Sequence, residues 1–386
     1  MYAYLSIERL NYHRKKRKLR WSSMGHKVIY AIHIYILLII SIGFSVHVLI
    51  IPALLSTSGR DAWLTVILSS IPLSLWILFV FYIYKKLTNH EDFFSLLVQT
   101  CAHKWIRIVL TFVLGSYFLL TAFITLKFTL FWAKGNYIFD SPNFIILLLF
   151  TIICFYSTWK GLRTISTIAF LVLPFVSFFG FLVGIGNAPN KNYELLFPLF
   201  ENGFSDFLHG FIYSCAGLFE IILLLFITPF IKDKLKIKWV VCVGIILLCL
   251  ILGPLMGALA EFGPYEAAKM SNPVYEQWRL LKIGELITRL DFLSIFQWLS
   301  GAFVRISLSM FIAERIFMYG RNKKWVLPIL YLILFTSACV PWEATSFLFF
   351  LKTYFFPISL IFQIGILLLF LLLIHLKGVP YEKNTN

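Results

Sequence analysis

Charge is what this chain has least of. Only 13% of its 386 residues are Asp, Glu, Lys or Arg, while 60% are hydrophobic and 18% aromatic. A soluble domain averages about 25% charged residues, so a soluble globular fold is excluded. Acidic residues are the scarcer sign, 18 against 34 Lys and Arg, for a net charge of +16. Cysteine is also sparse. Cys154, Cys215, Cys242, Cys249 and Cys339 fall inside apolar runs and Cys101 lies between two of them. That is no disulfide framework, and the residues read as small hydrophobes. There is no phosphate-binding P-loop, no Cys/His array with metal spacing, no nucleophile–base motif and no low-complexity tract. Neither an enzyme, a cofactor nor a bound metal is expected.

Long apolar runs are what the chain does have, and they do not alternate, which excludes a transmembrane barrel. A polytopic helical membrane protein remains. Ten spans are predicted, at about 30–56, 62–84, 108–131, 143–159, 164–186, 208–231, 239–260, 292–314, 325–341 and 353–375. Lys and Arg number 24 in the tails and even-numbered loops and 8 in the odd-numbered loops, with Lys127 and Arg305 inside spans. The positive-inside rule then puts both termini in the cytoplasm. The same distribution turns the net charge away from nucleic acid and toward the lipid surface.

Three domains of the chain follow: a basic cytoplasmic tail over 1–28, a permease domain over 29–376 and a short cytoplasmic tail over 377–386. The first tail carries Arg14, Lys15, Lys16, Arg17, Lys18 and Arg20 without the apolar stretch and cleavage site of a secretory signal. It is suited to rest on anionic lipid. Residues 85–107 form a partly amphipathic cytoplasmic loop. Residues 187–206 and 263–291 are external, and Leu280, Ile283, Ile287 and Leu290 fall on one helical face, which predicts an amphipathic lid at the outer mouth. Gly284 interrupts that pattern.

The sixth span is the one the rest is organised around. Its middle holds Ser214, Cys215, Ala216, Gly217 and a carboxylate, Glu220, with Pro229 beyond. A charge at the bilayer midplane is costly, so Glu220 is expected to face protein or a wet cavity. The first span has the same character, with Gly43, Phe44, Ser45 and His47 at its middle and Pro52 beyond. Two five-span halves, each opening on an interrupted helix, give the five-plus-five inverted repeat of transporters with broken helices 1 and 6. Freed backbone amides there suit a carboxylate and freed carbonyls suit an ammonium, so an amino-acid zwitterion fits. Gly43, Phe44, Ser45, His47, Ser214, Cys215, Gly217 and Glu220 are therefore the candidate ligand contacts.

Each has a plainer alternative. The small residues also make a packing face, and His47 either titrates or is a hydrogen-bonded core histidine. Glu220 binds an amine, takes a proton, or pairs with Arg305 of span 8 or Lys127 of span 3, as a structural pair or as a gate. Lys127 could instead snorkel. Gly180/Gly184 and Gly253/Gly257 are small-xxx-small pairs, which close helix packing explains.

A set of short stretches falls in a fixed order. Asp61-Ala62-Trp63-Leu64 opens span 2, Lys160-Gly161-Leu162 follows span 4, and Leu196-Phe197-Pro198-Leu199-Phe200-Glu201-Asn202-Gly203 leads into span 6. Phe219-Glu220, Pro229-Phe230, Phe262-Gly263-Pro264, Pro273, Arg289-Leu290-Asp291, Trp298 and Val304-Arg305-Ile306-Ser307-Leu308 complete it. As a set these resemble the spore-germination permeases, the B subunits of GerA-type nutrient germinant receptors, from span 1 to about span 9. That family looks like part of the amino acid–polyamine–organocation superfamily, whose fold is the five-plus-five inverted repeat. The resemblance implies a subunit in the spore inner membrane that binds a small germinant, often an amino acid. It implies A-type and C-type subunits as partners. An ion-coupled amino acid transporter and a channel subunit passing water or ions are the alternatives. Glu220 and Arg305 fall within matched stretches, whereas Gly43 to His47 match by position more than by identity.

Overall fold

In lipid, a backbone must satisfy its own polar groups, and apolar runs of this length do so as helices. The computed structural model describes residues 27–87, 103–140, 142–200, 203–282, 284, 287–318 and 324–378. The predicted basic tail up to residue 26, the middle of loop 85–107, Ile283 and residues 379–386 lie outside the described residues.

We label the helices in chain order. The first, α1, is α-helical over Ala31–Phe44, π-helical over Ser45–Ile50 and α-helical again over Ile51–Ser58. Then come α2 (Ala62–Lys86), α3 (Lys104–Asn136), α4 (Asn143–Lys160) and α5 (Leu162–Gly186). Helix α6 runs from Phe204 to Phe230, and α7 is Ile237–Ala267. A short helix, α8 (Pro273–Leu280), precedes α9 (Leu293–Phe317), α10 (Val326–Cys339) and α11 (Ala344–Phe350, continued by a π segment and Phe356–Gly378).

Eight helical runs among the described residues are long and apolar enough to cross a membrane. This is an all-helical integral membrane protein. The ten spans expected from sequence exceed that number for two reasons. The first run, Ala31–Lys86, is 56 residues long and holds two expected spans, divided at Gly59, where φ is 52°. The 14-residue α10 is about 21 Å long, short of a full ~30 Å crossing.

Burial sorts the helices. The most apolar windows of the α1–α2 run and of α6 are 89% buried, that of α5 only 11%. Helices α1 and α6 are thus the centre of the bundle, with α3 and α9 packed on each other beside them. Gly217 of α6 lies against Ile50 and Val46 of α1, and Gly301 of α9 lies against Phe44 of α1. The small-xxx-small pairs behave as expected only at Gly180, which lies against Gln297 of α9. Gly184 and Gly253 have nothing packed where a side chain would go, and Gly257 meets the Gln277 amide of α8 rather than a spanning helix.

The expected lid helix is also corrected. Helix α8 ends at Leu280, Leu281 is already extended, and Gly284 follows at φ 62°. Leu281 and Leu290 are buried, while Leu280 and Ile287 are exposed. The periodicity that suggested one amphipathic helix spans a turn.

At the opposite end, residues before α1 are clasped to residues after α6. Ile29 and Ile231 form an isolated parallel bridge, with Val28 N–H donating to Phe230 O at 2.9 Å and Lys232 N–H to Ile29 O at 2.8 Å. The Asp233 carboxylate accepts from Ala31 N–H at 2.6 Å, satisfying one of the orphan amides at the start of α1.

Candidate functional site

The two central helices leave α geometry where their small and polar residues cluster. In α1 the π segment Ser45–Ile50 begins two residues after Gly43. In α6 the α-helix stops at Leu218, winds as a 3-10 turn over Phe219–Ile222, and resumes at Leu223–Ile227. The expectation of broken helices needs correcting here. The backbone flanking both segments stays right-handed helical, so neither helix unwinds into bare half-helix ends. A change of winding still displaces backbone partners, and side chains from other helices catch the carbonyls concerned.

Three of these catches surround one point. Ser45 N–H turns to Ile42 O, and the Ser41 carbonyl accepts from Arg305 Nη1 at 3.0 Å. At the 3-10 turn, Trp76 Nε1 of α2 donates to Phe219 O at 3.0 Å and its indole stacks on the Phe219 ring at 4.2 Å. Gln363 Nε2 of α11 donates to Ala216 O at 3.0 Å. A fourth is in α7, where Pro254 has no N–H for Leu250 O, and His47 Nδ1 donates to it at 3.1 Å.

Between them lies the charged centre. Arg305 of α9 forks onto Glu220 of α6, Nη1 to Oε2 at 2.6 Å and Nη2 to Oε1 at 2.8 Å. Arg305 Nε donates to Thr125 Oγ1 of α3 at 3.2 Å, and Ser45 Oγ donates to Glu220 Oε1 at 3.3 Å. The two side chains are 1% and 6% exposed. A cavity of about 10 Å³ adjoins the pair, room for roughly one water. Tyr117, Thr121 and Glu220 form its polar wall, and Phe118, Ile222 and Leu223 are among its apolar lining.

The predicted site residues therefore divide. Glu220, Arg305 and Ser45 meet. Gly43 and Gly217 are packing contacts, against Leu250 and against Val46 and Ile50. Phe44 is edge-on to Trp298 at 6.0 Å. His47 faces α7. Ser214 and Cys215 are buried, the Ser214 hydroxyl without a partner. Lys127 is not a partner of Glu220. Its ammonium donates to Ala338 O at 2.9 Å and Val340 O at 2.7 Å, at the C-terminal end of α10, and lies 5.4 Å over the Phe131 ring. Carbonyls at a helix C-terminus carry partial negative charge, which suits a buried cation.

Sequence reasoning missed Ser41, Trp76, Tyr117, Thr125 and Gln363. Gln363 had a usable signal, as an amide inside the last apolar run, and so had the Thr121–Thr125–Thr129 series at i,i+4 in span 3. Tyr117 OH and Ser359 Oγ lie 2.8 Å apart, and Gln363 Nε2 is 3.1 Å from each.

An aromatic cluster links α3, α8 and α9 and reaches α1 through Phe44. Trp298 is stacked between Phe128 at 6.0 Å and Trp132 at 4.3 Å, and Trp132 meets Tyr137 and Tyr275 edge-on. Tyr275 OH reaches Asp291 Oδ2 at 3.5 Å, and Tyr137 OH donates to Asp291 O at 2.7 Å. Burial first, then the Tyr137 hydroxyl, raises the Tyr275 pKa, so the phenol keeps its proton.

A helical membrane protein with an occluded, charge-paired centre where two non-uniform helices meet a third is the class these features define. Residues 30–347 match the family described as spore germination protein. The chain belongs to that family and is a germination-related membrane protein. It is 38% identical to spore germination protein XB of Bacillus anthracis over 353 residues, 91% of this chain and 98% of that protein. It is 24% identical to spore germination protein GerQB of Bacillus cereus over 286 residues, 72% of this chain and 76% of that protein.

Proposed function

We propose that this chain is the membrane subunit of a spore nutrient germinant receptor, binding an amino-acid germinant at the Glu220–Arg305 centre. The observation that carries the reading is the pair itself. A bidentate Glu–Arg pair is buried beside a cavity, with Glu220 in the 3-10 turn of α6 and Ser45, at the start of the π segment of α1, donating to it. Buried pairs are poor stabilisers compared with apolar packing, so one kept at such a junction points to a task. Gly43, Phe44, His47, Ser214, Cys215 and Gly217 shape the centre rather than touch the ligand in the closed state. Lys127 anchors α10.

The reading includes ten spans in a five-plus-five inverted repeat, a 29–376 permease domain between two cytoplasmic tails, the spore inner membrane as location, and A-type and C-type subunits as partners. The charge asymmetry supports the orientation. Single cysteines placed in 187–200 or 263–282 should react with an impermeant thiol reagent from outside, and those in 233–236 should not. Reversed labelling would overturn the orientation.

Radiolabelled amino acids offered to the chain in proteoliposomes test the function. Saturable binding without accumulation is expected. Accumulation against a gradient would make it a transporter, and passive flux of ions or water a channel subunit. If none of the twenty amino acids binds, the germinant reading falls.

A further inference from the structure

We propose that an amino-acid ligand binds by ion-pair exchange, its carboxylate taking Arg305 from Glu220 while its ammonium takes Glu220. We further assign the buried amide oxygen of Gln363 as an additional acceptor for that ammonium. The proposal rests on the receptor reading above and specifies how its site works.

The centre has no room for simple addition. A guanidinium has five N–H donors, and Arg305 makes four hydrogen bonds: two to Glu220, one to Ser41 O and one to Thr125 Oγ1. Glu220 accepts from both Arg305 nitrogens and from Ser45. The adjoining cavity holds about one water. A ligand must therefore replace an existing contact. An amine alone would strip Glu220 from Arg305 and leave a bare buried cation, and a carboxylate alone would leave a bare anion. A zwitterion can take the place of each partner with every charge still paired, which neither half-molecule can.

Unused hydrogen-bonding capacity lies one contact away from the site. Gln363 is wholly buried, and its Oε1 has no partner. Its orientation is fixed, because Nε2 must face the Ala216 carbonyl, one turn before Glu220, and lies close to Tyr117 OH. Tyr117 lines the cavity beside Glu220. Ser41, whose carbonyl already holds Arg305, has a buried hydroxyl without a partner, suited to a carboxylate oxygen. Room for the exchange comes from the windings. Converting the π segment or the 3-10 turn to α geometry changes the residues per turn and so shifts Ser45 against Glu220.

The test uses the full chain in nanodiscs and equilibrium binding of each of the twenty amino acids. For the tightest, its decarboxylated amine and its deaminated acid are then measured. Each half-molecule is expected to bind at least ~100-fold more weakly, the scale of one uncompensated buried charge. Gln363→Leu should weaken the amino acid at least ~10-fold in a chain that stays folded by Trp fluorescence, with a lower melting temperature because the Ala216 carbonyl loses its donor. An amine or acid that binds within tenfold of its parent overturns the exchange and leaves the receptor reading standing. Failure of all twenty to bind overturns both. Native affinity in a folded Gln363→Leu chain removes Gln363 from the site.

Discussion

Glu220→Gln is expected to cost the folded protein about 3–5 kcal/mol, visible as a sharp drop in the amount of intact chain in the membrane. The substitution keeps size but removes the charge and turns one of the two acceptor oxygens into a donor. Arg305, 1% exposed, would retain the Ser41 carbonyl, the Thr125 hydroxyl and at most one amide oxygen as acceptors, with no counter-charge. Removing the positive side by Arg305→Met should cost as much, because Glu220 would keep only the Ser45 hydroxyl as donor. Made together, Glu220→Gln and Arg305→Met leave no uncompensated charge, and abundance should return most of the way to native. Ligand response should not return with it. That split between recovered folding and lost response is the readout of a functional pair. A double variant with native dose dependence would make the pair structural, and a single Glu220→Gln at native abundance would contradict its being a tight pair at all.

The second large effect concerns Gly217. A β-carbon there would fall 2.9 Å from Val46 Cγ1 and closer still to Ile50 Cδ1. Ile50 Cδ1 is the far end of a flexible side chain and can give way. Val46 is β-branched and stiff, so α1 must move as well. Gly217→Ala is expected to destabilise by about 1–3 kcal/mol and Gly217→Leu by more, as overpacking does. Gly43→Ala is the control. Its β-carbon would lie 3.1 Å from the terminal methyl of Leu250 alone, and helix propensity offsets the crowding by up to ~1 kcal/mol. Thermal unfolding in detergent separates the two. Equal melting temperatures for Gly217→Ala and Gly43→Ala would show that the α1–α6 contact is not tight.

The charged centre was legible because charge is so rare here. A carboxylate and a guanidinium inside separate apolar runs have few ways to be satisfied, and each is the other's best partner. The carbonyl catches were not legible. Which carbonyl loses its helical donor depends on where the winding changes, and neither Trp76 nor Gln363 announces that it reaches across to α6. Lys127 misled for a related reason. A buried ammonium suggests a carboxylate, yet two backbone carbonyls at a helix end hold it. The single lid helix failed on periodicity, because Leu280 and Leu290 keep helical spacing although the chain leaves helical geometry at Leu281. The glycine pairs, Gly180 apart, failed because small-residue spacing does not say which face of a helix meets lipid.

The clasp at residues 28–31 and 230–233 decides how such a molecule can open. Its backbone hydrogen bonds and the Asp233 cap tie the start of α1 to the end of α6, the two helices that carry Ser45 and Glu220. Spreading those helices at that end would strand several polar groups at once. The far ends of the two helices are tied by less, with Ser58 Oγ donating to Asp206 O at 2.7 Å and Gly210 packed against Ser58. Any parting of α1 from α6 is therefore expected to pivot on Ile29 and Ile231, as the covers of a book turn on the spine, and to begin at Ser58 and Asp206.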